Sequence, residues 1–392
     1  MGRPPIDPEA IAASLRPHGE SVMLPAAAYT SAEVLAWERR HVFAGSWTCV
    51  GRVEELAADG ATYRAVEVGD VGVVVTTAGD GTVRALANVC RHRGHELLPV
   101  GGAAERRTIV CPYHGWTYRL DGELRSAPRI TVDGDAYGLV VLPAQVWHGW
   151  VFVDGLGQAP PFDRYVGALA DLVGPYHPER LRLGARHRYE VAANWKVIVE
   201  NYHECYHCPL IHPELCRVSP PASGANWDLP GAWVGGAMEL RPEAETMSLD
   251  GRSAGQFLPG VDHRSVLYIG LFPNLLISAH PDYVMTHRLA PLAPDRTAIE
   301  CSWYVPDGVS DPAYAVDFWD VTNREDWAAC ESVQRGLRSP HFRPGPLAPA
   351  EDAVHQWVTL MARVYLDPAA ALAAASAPAS ATPIASRPNS RQ

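Results

Sequence analysis

Cys90-Arg91-His92 and, after eighteen intervening residues, Cys111-Pro112-Tyr113-His114 decide how the first half of this chain is read. Each stretch offers one thiol and one imidazole at a spacing that a single loop can turn toward a common point. A second stretch, Glu200-Asn201-Tyr202-His203-Glu204-Cys205-Tyr206-His207, closed by His212, decides the second half. It offers two imidazoles with carboxylates nearby, a ligand set suited to a transition metal with open positions. Two clusters of different chemistry in one chain predict two separate metal sites.

At 392 residues the chain is too long for one ordinary core, so two domains are expected. A charged fraction of 20% and a hydrophobic fraction of 47% are those of a folded protein. Lys and Arg number 33 against 44 Asp and Glu, a formal charge of −11. That balance argues against a nucleic-acid surface, which needs a basic patch, and is compatible with a cationic ligand or a basic redox partner. The N-terminus, Met1 to Ile6, has no apolar stretch like a signal peptide, and Ile6 breaks the myristoylation pattern. No apolar run is long enough to span a bilayer. A cytoplasmic location is therefore expected, with the eight cysteines (49, 90, 111, 205, 208, 216, 301 and 330) reduced or bound to metal.

The pattern divides the chain into an N-terminal helical arm (1–45), a small antiparallel β domain (46–155), a mixed α and β domain (156–368) and a disordered Ala/Ser/Pro-rich tail (369–392). Ser31 is placed to cap a helix from Ala32. In the β domain, runs such as Gly72–Thr77 and Val83–Ala87 flank a turn at Gly79-Asp80-Gly81. Asp121-Gly122 reads as a two-residue hairpin turn between Trp116–Leu120 and Glu123–Arg125. Residues 156–185 read as a helical connector. Strands are expected at Val266–Leu271, Asn274–Ser278, Tyr283–Leu289 and Thr297–Val305, and helices at Trp195–His207 and near Asp317–Leu337.

Cys90, His92, Cys111 and His114 form the two-thiolate, two-imidazole set of a Rieske [2Fe–2S] centre. Buried thiolates suit the inner iron, and neutral imidazoles on the outer iron lower the cluster charge. Gly94 and Gly115 follow the histidines and would allow close backbone approach. A structural zinc site is the competing reading, but zinc patterns usually pair Cys with Cys and His with His. His95 is left as an ordinary loop histidine.

In the second cluster, Asn194-Trp195-Lys196 opens a helix that Pro209 stops. Glu204 and His207 then share a helical face, and His212 turns back to the same metal. A third ligand has to be a carboxylate from elsewhere. Asp326 is the candidate, because helical spacing puts it on one apolar stripe with Cys330, Val333 and Leu337, and a buried carboxylate needs a partner. A salt bridge to an arginine would serve as well, and Glu325 and Asp320 are the alternatives.

These motifs resemble the large (α) subunit of the Rieske non-haem iron oxygenases, the ring-hydroxylating family, over about residues 20–366. The resemblance implies an α+β fold, with an N-terminal antiparallel β Rieske domain and a C-terminal helix-grip-like catalytic domain. It implies a Rieske [2Fe–2S] cluster on Cys90, His92, Cys111 and His114, and a mononuclear Fe(II) on His207, His212 and Asp326. It also implies a homotrimer in which Glu204 links His207 to a neighbour's His114; many members carry Asp there. The electrons would come from NAD(P)H through a separate flavin-containing reductase, possibly with a ferredoxin, since the chain has no dinucleotide-binding glycine motif. The enzyme would be an O2-dependent mono- or dioxygenase.

Glu204 and Cys205-Tyr206-His207-Cys208, with Phe272–Ser278 and His280–Tyr283, look most like the branch acting on quaternary ammonium compounds. Such a head group binds aromatic faces by cation–π attraction. Trp227, Trp233, Tyr268 and Tyr283 are the cage candidates, although each taken singly is more at home in a core than in a cage. The alternative substrate is an aromatic ring or a natural-product scaffold.

Overall fold

The computed structural model describes residues 6–77 and 81–377. Met1–Pro5, the first two residues of the Gly79-Asp80-Gly81 turn, and the tail from 378 lie outside the described residues.

Three antiparallel sheets build the region from Trp47 to Asp154. Val71–Thr77 lies between Tyr63–Val68 and Val83–Ala87 in a five-stranded sheet. Trp47–Arg52 pairs with Trp150–Asp154, which ties the two ends of the region together. A third sheet of Thr108–Val110, Thr117–Arg119 and Leu124–Ser126 carries the second Cys/His loop. Tyr63, Val74, Leu86, Ile109, Trp116 and Tyr118 pack around Cys90 and Cys111 in one buried cluster. The Asp121-Gly122 hairpin forms, but not as a two-residue turn. Gly122 N–H donates to Arg119 O (3.1 Å) and Arg119 N–H to Glu123 O (2.8 Å), so the loop is wider. Gly122 at φ +99° supplies the left-handed residue that such a bulged loop requires.

The second region is a seven-stranded antiparallel sheet. Its order is Arg182–Val191, Arg296–Val305, Val284–Ala293, Leu275–Ala279, Ser265–Leu271, Trp233–Glu239 and Ala225–Asn226. The sheet starts inside the stretch read as a helical connector. Arg182–Val191 is an edge strand, and its charges are paired across the ladder: Arg188 Nε to Glu300 at 3.1 Å, with Arg186 beside the same carboxylate. Charged edge strands hide the alternation that sequence reading depends on. The helix Ala313–Leu337 packs against this strand and against the helix Trp195–Tyr202.

Asn194 caps the helix Trp195–Tyr202 by accepting the Lys196 N–H (3.0 Å). That helix is held by the N-terminal arm. Ser31 caps Ala32–Glu38 as expected, and Glu38 is fully buried, accepting from Lys196 Nζ (2.7 Å), Trp195 Nε1 (2.9 Å) and the Tyr365 hydroxyl. Tyr29, on the same arm, donates to Glu200 Oε1 (2.8 Å). A buried ion pair of this kind stays because removing either partner strands a charge in the interior.

Two further expectations are corrected here. The helix ends at Tyr202, not His207. Glu204 Oε2 accepts the backbone N–H groups of Tyr206 and His207, and this competing local bond replaces the next helical turn. Pro209 then sits in the first turn of a new short helix, Cys208–Ile211, instead of stopping an old one. The Ala-rich tail begins with a helix, Pro368–Ala375, capped by Asp367, with Ala371 and Leu372 buried. Alanine's helix propensity and two packed side chains outweigh the low-complexity composition.

Candidate metal centres and substrate cavity

The two Cys/His loops adopt the same turn despite their different spacing. Gly94 N–H donates to Cys90 O (3.0 Å) and Gly115 N–H to Cys111 O (3.1 Å). Each cysteine N–H is taken by the carbonyl just beyond the turn, His95 O and Trp116 O, both at 2.8 Å. Gly94 and Gly115 are needed for their φ of +71° and +73°. Close approach is not the reason, since a Cβ on Gly94 would meet nothing within 4 Å. The loops bury both thiols and leave both imidazoles exposed. The two Nδ1 atoms lie 3.2 Å apart, and the His92 ring stacks on Trp116 at 5.0 Å with an interplanar angle of 5°. The Tyr118 hydroxyl is 3.2 Å from the Cys90 sulfur and accepts the Arg91 N–H (3.0 Å). Buried sulfur and exposed nitrogen, all converging, fit a Rieske cluster. His95 lies on the surface, bonded to Glu96 O.

His207, His212 and Asp326 come together as the second site. His207 Nε2 is 3.1 Å from His212 Nε2; Asp326 Oδ1 is 2.9 Å from the latter and 3.4 Å from the former. His207 is set at the start of Cys208–Ile211, His212 at the start of Pro213–Val218, and Asp326 on the long helix. Both rings are fixed from behind: Glu204 Oε1 takes His207 Nδ1–H and Glu325 Oε2 takes His212 Nδ1–H (2.8 Å). This leaves both Nε2 lone pairs facing Asp326, the tautomer a metal ligand requires. Burial alone would lower the His207 pKa, yet Asp326 and Glu204 push it up to about 9. Burial would likewise raise the Asp326 carboxyl, and the two imidazoles hold it below its ordinary value. The pocket therefore demands positive charge, which a divalent ion supplies.

Asp326 meets no arginine among the described residues. Glu325 is the partner of His212, not a third corner of the triad. Asp320 lies elsewhere, bonded to Tyr189 (2.7 Å), His187 and Arg324. The stripe that led to Asp326 is partly wrong. Cys330 and Leu337 are buried, but Val333 is 44% exposed and Gln334 takes its place on the inner face. Cys205 and Cys208, expected to be reduced or bound to metal, are joined by a disulfide with Cα atoms 4.9 Å apart, because the broken helix folds them together.

A cavity of about 240 Å3 opens beside the triad. Tyr202, Tyr268, Trp319 and Trp327 give it aromatic walls, and Glu204, Asp326 and Asp352 contribute carboxylates. Of the four cage candidates only Tyr268 lines it. Tyr283 is fully buried, with its hydroxyl bonded to Met247 O (2.9 Å); Trp233 is turned to Pro230 O (3.1 Å); Trp227 packs against the core. Trp319, Trp327, Tyr202 and Asp352 were missed. Tyr202 and Trp327 stand within the ligand segments, five residues before His207 and next to Asp326, which was the available signal.

The chain matches the family model for the Rieske [2Fe-2S] domain over residues 46–137 and that for the ring-hydroxylating α-subunit catalytic domain over 178–367. It is 33% identical over 380 residues to the glycine betaine monooxygenase oxygenase subunit of Chromohalobacter salexigens, covering 86% of this chain and 84% of that one. It is 37% identical over 343 residues to the carnitine monooxygenase oxygenase subunit of Acinetobacter pittii, covering 81% and 86%. Its structure superposes on that of a quaternary ammonium Rieske monooxygenase with a TM-score of 0.74 and 26% identity, over 93% of this chain and all of that one.

Proposed function

The chain belongs to the Rieske-type ring-hydroxylating oxygenases, and from that premise we propose that it is the terminal oxygenase of a system that N-demethylates, or cleaves a C–N bond of, a small quaternary ammonium compound. It is an O2-dependent oxygenase that carries a Rieske cluster and a mononuclear iron and takes its electrons from a separate protein. The observation that carries the substrate class is the cavity: four aromatic side chains and three carboxylates around about 240 Å3, below the 300–1,000 Å3 usual for ligand pockets. Aromatic faces and negative charge attract a cation, and the volume favours a small one.

Cys90 and Cys111 would hold the inner iron, and His92 and His114 the outer one. His207, His212 and Asp326 would hold the mononuclear iron. Bound there, these groups deliver electrons and activate O2. The protein's own side chains orient and exclude. Glu204 and Glu325 hold a proton on each Nδ1, so that Nε2 is the atom each imidazole offers to the metal. Glu204 has one further lone pair on Oε1, free to accept from His114 of the partner subunit in a trimer. The aromatic walls hold the ammonium so that one methyl group faces the triad. The overall balance is R3N+–CH3 + O2 + 2e− + 2H+ → R3N+–CH2OH + H2O. The hydroxymethyl product then breaks its C–N bond to give R3N, formaldehyde and a proton, so positioning one methyl group is sufficient.

The electron donor is proposed to be a flavin-containing reductase using NAD(P)H, and the location cytoplasmic. The domain boundaries are proposed at about residues 45, 155 and 368. No helix among the described residues is long and apolar enough to cross a membrane. The test is a substrate panel of glycine betaine, proline betaine, choline and carnitine, with a reductase and NADH. The expected result is O2 uptake matched by formaldehyde or trimethylamine. Hydroxylation of an aromatic acid with no response to any quaternary ammonium compound would overturn the reading.

A further inference from the structure

We propose that the substrate of this cavity is a monocation, a quaternary ammonium compound whose far end is uncharged, and that Asp352 is a specificity residue selecting it over zwitterions such as betaines. The inference rests on the quaternary ammonium reading above and narrows it.

The first observation is charge. The lining carries the carboxylates of Glu204, Asp326 and Asp352 and, among the described residues, no lysine or arginine. Lys196 is the one lysine in the sequence, and it is fully buried against Glu38 at 2.7 Å. The arginines nearest in sequence to the lining residues are engaged elsewhere: Arg217 with Glu214, Arg288 with Glu300 and Arg324 with Asp320. The lining histidines outside the triad do not supply the missing charge. Burial pushes His203 down to about 3 and His287 down to about 4, so both rings are neutral at physiological pH. Glu325 behind His212 adds a fourth carboxylate, and four negative charges exceed the two of a divalent ion. A substrate carboxylate entering here would meet like charge with no cation to answer it.

The second observation is the kind of polar group that waits there. Tyr268 Oη, His203 Nε2, His287 Nδ1 and Trp327 Nε1 belong to lining residues, are buried, and have no hydrogen-bond partner. Tyrosine, tryptophan and neutral imidazole carry no positive charge, so these walls add polarity around the carboxylates without the cation that a substrate carboxylate needs.

Asp352 distinguishes this reading from general acidity. It lies at the start of the helix Asp352–Leu366, is held by Asn226 Nδ2, and lines the cavity without belonging to the triad or its supports. Its charge is therefore available to the substrate.

The test compares glycine betaine with its methyl ester and with choline on the loaded enzyme. Coupled O2 uptake gives kcat/KM, and calorimetry gives the dissociation constants. The ester and choline should exceed betaine by at least about ten-fold in kcat/KM and bind with dissociation constants at least about ten-fold lower. Asp352→Asn should bring the ratio toward unity by weakening the cations, with iron content and visible spectrum unchanged. Betaine performing as well as its ester would overturn the inference while leaving the quaternary ammonium reading in place. An unchanged ratio in Asp352→Asn would remove Asp352 from it. No response to any of the three compounds would remove the reading and the inference together.

Discussion

The two histidine pairs of this chain are built on opposite plans. His92 and His114 stand on the surface at the tips of two matching loops, with their thiol partners buried directly beneath. His207 and His212 sit inside the fold, each ring braced by a carboxylate, and their third partner Asp326 comes from a helix 114 residues further on. One site is local and faces outward, as a group that exchanges electrons with other proteins must. The other is assembled from distant segments beside a cavity with aromatic walls, which shields a reacting group from bulk water.

That contrast predicts different responses to damage. The largest effect belongs to the local site. Cys90→Ala or Cys111→Ala removes a buried thiol proposed to hold the cluster, and should abolish the red-brown absorption and all turnover. A full Rieske spectrum in either variant would break the ligand assignment.

Glu204→Gln should come next. It keeps a group able to hydrogen-bond while removing the carboxylate, so both metals should remain. Oxidation of the reduced cluster in a single turnover with substrate and O2 should slow by about 10–100-fold or more. An unchanged rate would show that the two sites communicate by another route.

Glu325→Ala tests bracing without electron transfer. It should weaken iron at the inner site about 10–100-fold, measured by competition with a chelator, and leave the Rieske spectrum untouched. Iron binding equal to that of the parent would mean that Asp326 and the rings need no support behind His212.

The smallest effect concerns stability. Burial pushes the Glu200 carboxyl up to about 8, despite its bond from Tyr29 and the nearby Lys196. Its ordinary value is 4.5, so between these pH values the folded chain holds a proton that the unfolded chain has released. More protons bound in the folded state means that stability falls as pH rises through this window. The metal-free parent should lose at least about 2 °C in Tm between pH 5 and pH 8, and Glu200→Gln should flatten that slope. A slope that survives the substitution would place its origin in another group.

The same contrast explains what could be read before the structure. The Cys/His loops were legible because both cysteines and both histidines fall within 25 consecutive residues and glycine marks each turn. Strands at 265–271, 275–279, 284–293 and 296–305 were legible from their β-branched and aromatic runs. Asp326 was reached by a helical stripe that holds at Cys330 and Leu337 and fails at Val333, since Gln334 is buried by bonds to Asn194 and Tyr29 instead. A polar residue that completes a network looks exposed in sequence. The pairing of Glu325 with His212 and the cavity walls depend on segments that meet only in three dimensions. Aromatic composition singled out Tyr283 and Trp233, which the core consumes, over Trp319 and Trp327, which face the cavity.

The measurement that bears most directly on this two-site account is the iron content of Asp326→Ala beside that of the parent, taken with the visible spectrum. The parent should hold two cluster irons and one mononuclear iron per chain. The variant should keep the cluster spectrum and hold two irons. A variant that keeps all three irons, or that loses the cluster along with the third, would contradict the assignment of two independent sites with Asp326 closing the inner one.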